Sequence, residues 1–69
     1  MGKVKVDLVP GDHVRAGKVP EGRVILTIQT RRIGVVLEQK PGEATIIDFG
    51  ENPRHPFSVH PLVMLEIAE

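Results

Sequence analysis

Two of the chain's three histidines, His55 and His60, lie in the proline-rich stretch ENPRHPFSVHP (residues 51–61), where they could bind a metal ion or transfer a proton. Two histidines bind one metal readily when they are four residues apart on a helix or share one face of a strand. Five residues apart on an extended chain, they point to opposite sides. Pro56 and Pro61 each follow a histidine and favour extended backbone there. The sequence therefore predicts no metal site and no cofactor.

Other combinations of side chains that support catalysis are also missing from the sequence. Asp12 and His13 are adjacent, but neighbours along a strand face opposite ways, and Gly-Asp more simply begins a turn. The chain has no cysteine nucleophile, and Gly11, Gly17 and Gly22 are isolated turn residues rather than a phosphate-binding loop. The sequence therefore predicts that this protein is not an enzyme.

The elements that would position these residues are strands. Short runs of β-branched residues alternate with glycine and proline, which is typical of an all-β protein. A chain of 69 residues makes a single domain, residues 1–69, with a thin core. The extended stretches are residues 3–8, 13–16, 23–29, 33–39, 44–49, 57–59 and 65–67.

The connection QKPGE (residues 39–43) decides which face of the central hairpin points inward. A loop of even length would place Val35 beside Asp48 and bury an acid in the core. A three-residue loop, residues 40–42, shifts the register by one, so that Val35 and Leu37 share the core face with Ile47 and Phe49 and the acid points to solvent. Gly42 then occupies the left-handed position that such loops prefer.

This register leaves a group of apolar residues on the outer face. If these residues form a contiguous cluster, they mark a contact surface. Since a core this small is often supported by oligomerisation, we expect a second copy or a permanent protein partner to cover the group. The predicted interface consists of Ile25, Val36 and Ile46, with Arg31, Arg32 and His55 at its rim.

The last third, PFSVHPLVMLEIAE (residues 56–69), indicates how the fold closes. Phe57 and Val59 alternate as core residues of a short strand, and His60-Pro61 ends it. The segment LVML is too short for a stable helix and suits one 3₁₀ turn before the final strand. Together with GDHVRAG, a long first loop and the hairpin IGVVLEQ…ATIIDFG, this ending resembles that of SH3-like barrels. The predicted fold is an all-β, small SH3-like barrel of about five strands, with a long first loop and a single 3₁₀ turn before the last strand.

Within that architecture the chain resembles a group of accessory subunits. The group comprises the photosystem I small subunit, the ferredoxin–thioredoxin reductase variable chain, the nitrile hydratase β barrel and type II dihydrofolate reductase. The resemblance implies an accessory role. Type II dihydrofolate reductase, an oligomeric enzyme, is only a remote alternative. That family has Gln-Ile-Tyr where this chain has Ser58-Val59-His60, and lysine where this chain has Ala16, so its functional residues are not matched.

A nucleic-acid-binding barrel similar to KOW-type domains is the main alternative, with Arg31 and Arg32 as its contacts. Against it, nine basic and nine acidic residues give no net charge, and two phenylalanines are the only aromatic residues. The residues that could join the pair, if their loops gather at one end of the barrel, are Arg15, Lys18, Arg23 and Lys40.

The sequence as a whole therefore predicts a non-catalytic protein-interaction or accessory module that assembles with itself or with a larger partner. No apolar run has the length of a signal peptide or membrane span, so a cytoplasmic location without membrane contact is expected.

Overall fold

The computed structural model describes residues 8–50 and 56–69, and it is all-β, as predicted. These residues form six strands, where about five were predicted, and residues 3–7 of the first predicted stretch lie outside the described residues. Nothing in the described part of the chain forms a helix of the length and apolarity that a membrane crossing requires. The strands are β1 (His13–Arg15), β2 (Val24–Thr27), β3 (Ile33–Glu38), β4 (Thr45–Asp48), β5 (Phe57–Val59) and β6 (Met64–Ile67).

The six strands form one antiparallel sheet in the order β1-β6-β2-β3-β4-β5. Strands β2 to β5 follow one another as successive hairpins. The final strand, β6, then returns to lie between β1 and β2. β6, the last strand, therefore joins β1 to β2, the first two strands of the described chain.

The one 3₁₀ turn among the described residues covers Ala16–Lys18, directly after β1, so its predicted place before the last strand was wrong. A simple turn stands there instead, closed by a hydrogen bond of 3.0 Å from the Val63 amide to the His60 carbonyl. Both turns lie together, because the amide of Gly17 donates to the carbonyl of Pro61 at 2.9 Å.

The core is a small aliphatic cluster on the inner face of the sheet. Leu8, Val14, Phe49 and Val59 pack against it while remaining partly exposed. Phe57, predicted to be a core residue, is half exposed at the edge of the cluster. The fully buried members are Ala16, Val19, Ile25, Val36, Ile47, Leu65 and Ile67.

The β3–β4 hairpin has the opposite faces inward from those predicted. Val36 is paired with Ile47 and both are buried, whereas Val35 is paired with Asp48 on the outer face. A bulge between Val36 and Glu38 then shifts the pairing by one residue. The prediction failed because it assumed that Val35 faces the core. With Val35 outside, the acid opposite it is not buried.

Gly34 explains why this face of β3 turns inward. It is buried opposite Ile25, and a Cβ atom at this position would lie 2.7 Å from Ile47 Cγ2 and 2.8 Å from Phe49 Cδ1. A glycine inside a strand often marks such a close approach. The inner face of β3 therefore accepts the side chains of its neighbours, while its larger apolar residues point outward.

Both edge strands of the sheet are short. β1 and β5 have three residues each, and within the described residues neither pairs with a strand on its outer side. Pro56 comes directly before β5, and Pro61 follows it by two residues. Short strands and flanking prolines are common devices against edge-to-edge pairing.

Candidate interaction surface

The outer face of β3 carries three aliphatic side chains that remain exposed. Ile33, Val35 and Leu37 are 61%, 36% and 45% exposed, respectively. Ile33 and Val35 are two residues apart on the strand and thus share a face. Leu37 lies at the bulge and is also exposed. β3 therefore exposes three large apolar side chains to solvent, although the core of the protein is small.

Neighbouring strands extend this row into a surface. On β2, Leu26 lies opposite Ile33 and Val24 lies opposite Val35, and both are half-buried. On β4, half-buried Ile46 lies opposite Glu38, just beyond the bulge. We call this surface the outer strip, and it consists of Val24, Leu26, Ile33, Val35, Leu37 and Ile46.

The sequence placed a different set of residues on this surface. Ile25 and Val36 are 0% and 1% exposed, so they are core residues and their prediction as interface residues was wrong. Ile46 does lie on the outer side. The exchange follows from the reversed hairpin, since a shift of one residue moves every side chain of a strand to the other face. Gly34 was the available signal for the correct orientation.

Arg31 lies at one end of the outer strip in a charged cluster. Its guanidinium donates to Glu66 Oε1 at 2.7 Å, and His13 Nε2 lies 3.5 Å from the same oxygen. The hydrogen bond from Arg31 lowers the pKa of the Glu66 carboxyl below its ordinary value of 4.5. The cluster joins β1, β6 and the β2–β3 turn, where Arg31 itself has a left-handed backbone with φ of 56°.

Arg32 contacts two aromatic rings. Its guanidinium carbon lies 4.9 Å from the ring centre of Phe49 and 5.7 Å from that of Phe57. The rings meet edge to face, with centres 5.4 Å apart. Guanidinium groups at such distances are attracted to the ring face. Arg32, directly before β3, thus contacts Phe49, which follows β4, and Phe57, the first residue of β5.

The six basic residues considered for nucleic-acid binding are not gathered at one end of the sheet. Arg31 and Arg32 precede β3, whereas Lys40 follows it, and a six-residue strand spans roughly 20 Å. Arg15 and Lys18 line a cavity that also includes the β3–β4 turn.

Arg23 is engaged elsewhere, donating to the Leu8 carbonyl at 2.8 Å. The six basic residues therefore do not all gather at one end of the sheet, as a joint basic surface would require. Binding of nucleic acid through Arg31 and Arg32 stays a prediction.

The histidines are dispersed. His55 lies outside the described residues, so its predicted place at the rim is not located. His60 Nδ1 accepts a hydrogen bond from the Leu62 amide at 3.1 Å and so helps to form the β5–β6 turn. In residues 8–50 and 56–69, no three side chains of the metal-binding types come together.

Compared with known protein families, with curated proteins and with solved structures, the chain has no significant match in any of the three.

Proposed function

We propose that this chain is a non-catalytic protein-interaction module that assembles through the outer strip. The observation that supports the proposal is the exposure of Ile33, Val35 and Leu37 on one strand. Exposed aliphatic residues that are scattered singly need no explanation, but a contiguous surface of them is typical of an interface. The accessory role implied by the resemblance to small barrel subunits is part of the same proposal.

A second copy of the chain is the partner that we propose. The outer strip is entirely aliphatic, and aliphatic sheet faces pack against one another in β-sandwiches. Three acids border the strip, because Asp48 is paired with Val35, Glu38 with Ile46 and Glu66 with Leu26, so a second copy must leave these carboxylates at the rim of the interface. A small core gains the most from such a cover. A larger partner with an aliphatic surface would use the same strip.

The expected affinity is modest. Fully burying a large aliphatic side chain contributes about 1.5–3 kcal/mol, and the three exposed residues are already partly covered, so each contributes about 1 kcal/mol per copy. Association itself costs at least about 4 kcal/mol. On two copies the exposed residues supply about 6 kcal/mol, and the half-buried residues Val24, Leu26 and Ile46, at about 0.5 kcal/mol each, add about 3 kcal/mol. The balance of about 5 kcal/mol corresponds to a dissociation constant of about 0.2 mM.

Sedimentation equilibrium from low to high micromolar concentration tests the proposal. We expect the wild-type chain to dimerise and Val35→Lys to raise the dissociation constant more than tenfold, because each dimer would bury two lysines. Val63→Lys is the matched control, since Val63 is 44% exposed but lies in the β5–β6 turn.

A wild-type chain that stays monomeric at about 1 mM would reject self-assembly. Equal dissociation constants for Val35→Lys and the wild type would show that the outer strip is not the interface. Equal losses in Val35→Lys and Val63→Lys would show that added charge, rather than the strip, controls association.

A further inference from the structure

Three turns of the protein line an open cavity of about 310 Å³. They are the 3₁₀ turn after β1, the tip of the β3–β4 hairpin and the β5–β6 turn. The volume is at the lower end of the range for small-ligand sites. The lining residues are Arg15, Gly17, Lys18, Pro41, Gly42, Pro61 and Leu62.

One wall of the cavity is held by direct backbone contacts. The amides of Ala16 and Gly17 donate to the carbonyls of Val63 and Pro61 at 2.7 and 2.9 Å. A Cβ atom on Gly17 would lie only 2.8 Å from the Cβ of Pro61, so the two turns touch without an intervening side chain. The wall is therefore formed before any ligand binds.

The charges that line the cavity are all positive. Arg15 and Lys18 are its charged residues, and no acidic residue of the described ranges, 8–50 and 56–69, lines it. Arg15 Nη1 donates to the Leu62 carbonyl at 2.8 Å, which fixes the guanidinium at the wall and uses one of its five N–H donors. Glu21, the acid closest in sequence to Lys18, accepts a hydrogen bond from the Gln39 amide instead.

The rest of the lining is aliphatic. Pro41, Pro61 and Leu62 supply apolar surface and the glycines supply space, and the part of the chain that the structure describes places no aromatic ring in the lining. Single-stranded nucleic acids are bound largely by stacking of bases on aromatic side chains. The lining thus favours a ligand with an aliphatic body over a nucleotide.

We propose that this cavity binds an aliphatic carboxylate, with the carboxylate on Arg15 and Lys18 and the aliphatic group against Pro41, Pro61 and Leu62. The planar fork of arginine matches the two oxygens of a carboxylate. The same chemistry is presented by the C-terminal leucine of a peptide and by a free branched acid, and the experiment distinguishes the two sources. The site is separate from the outer strip.

An NMR titration of the ¹⁵N-labelled full chain tests this proposal. We expect N-acetyl-leucine to shift the amide signals of Gly17, Lys18, Gly42 and Leu62, with a dissociation constant of about 1 mM, as suits so small a ligand. N-acetyl-leucine amide, which lacks the charge, should bind at least about fivefold more weakly. Tighter binding of N-acetyl-leucine than of 4-methylpentanoate identifies a peptide terminus as the source, and the reverse identifies a free acid.

Three variants connect the binding to the cavity. Lys18→Gln should weaken binding of N-acetyl-leucine about three- to tenfold, because a charged contact is lost at a site open to solvent. Arg31→Gln is the matched control at the far end of β3 and should leave the affinity unchanged. Val35→Lys should also leave it unchanged, so that the result does not depend on assembly through the outer strip.

Three results would overturn the proposal. One is an absence of shifts at about 10 mM N-acetyl-leucine. The second is equal affinity for the amide, which would remove the role of charge. The third is inorganic phosphate shifting the same signals with equal affinity, which would show an anion site without an aliphatic component.

Discussion

Two adjacent valines provide a direct test of which face of β3 is the core. Val35 and Val36 lie on the same strand, but Val36 is 1% exposed and Val35 is 36% exposed. Substituting each by alanine removes the same atoms from the same backbone. The loss of β-propensity is therefore similar in both variants, and the difference between them reports burial.

The expected difference can be worked from these exposures. Val→Ala removes the equivalent of two methylene groups, or about 1.6 kcal/mol of transfer free energy at a fully buried site. A cavity beside Ile47 adds to this, so Val36→Ala should cost about 2–3 kcal/mol. Val35→Ala leaves no enclosed cavity and removes atoms that are partly solvated, so it should cost about 1 kcal/mol. Val36→Ala should thus be the more destabilised variant by about 1–2 kcal/mol.

Thermal unfolding followed by far-ultraviolet circular dichroism measures this difference, since the chain has no tryptophan or tyrosine to report it by fluorescence. In a domain of this size each kcal/mol shifts Tm by about 4–8 °C, so Val36→Ala should melt about 4–16 °C below Val35→Ala. Measurements at low protein concentration keep association from contributing. Equal melting temperatures, or a lower one for Val35→Ala, would refute the assignment of the inner face.

Three further predictions concern single residues. Thr45→Val should raise the free energy of unfolding by about 1 kcal/mol in urea titrations, because the Thr45 hydroxyl is buried without a hydrogen-bond partner among the described residues. Gly34→Ala should lower the same free energy by about 1–3 kcal/mol, because the new methyl group would overlap Ile47. Glu66 should stabilise the fold above its ordinary pKa of 4.5, and this contribution should be lost as the pH falls through its lowered folded pKa. In melting curves between about pH 3 and 6, Glu66→Gln should therefore lose less stability on acidification than the wild type.

Each of these predictions has a result that contradicts it. A destabilised Thr45→Val would mean that the hydroxyl has a partner. A Gly34→Ala chain as stable as the wild type would mean that β3 and β4 are further apart than described. Parallel pH profiles for Glu66→Gln and the wild type would remove Glu66 as the group that titrates, whereas Arg31→Gln should reproduce the flatter profile by removing its hydrogen-bond donor.

The strands were predictable from the sequence, but their inward faces were not. Alternation and turn residues located β2 to β6 closely, and Gly42 has the left-handed backbone expected of it, with φ of 76°. Each face of β3 carries apolar residues, so the pattern of apolar residues alone does not identify the face that packs on the core. The charge of Asp48 appeared to decide between them, but the glycine at position 34 carried more information.

The two candidate sites differ in how far the sequence could reveal them. The outer strip follows from alternation once the faces are assigned correctly. Because the register was wrong, the core residues Ile25 and Val36 were placed in the predicted interface. The cavity depends on contacts between turns that are distant in sequence, such as Gly17 with Pro61. No local pattern encodes that meeting. Arg31 was predicted as a rim residue, but its partner Glu66 is 35 positions away.

The shortness of the two edge strands limits what this sheet can build. β1 and β5 offer three residues each, and prolines stand on both sides of β5. Among the described residues, edges this short offer few backbone groups to a further chain, and fibre growth needs an open edge that each added chain renews. Association through the face is self-limiting by contrast, because an isologous pair uses the surface on both members and leaves none for a third. Rising concentration would then fill a closed pair rather than lengthen a polymer.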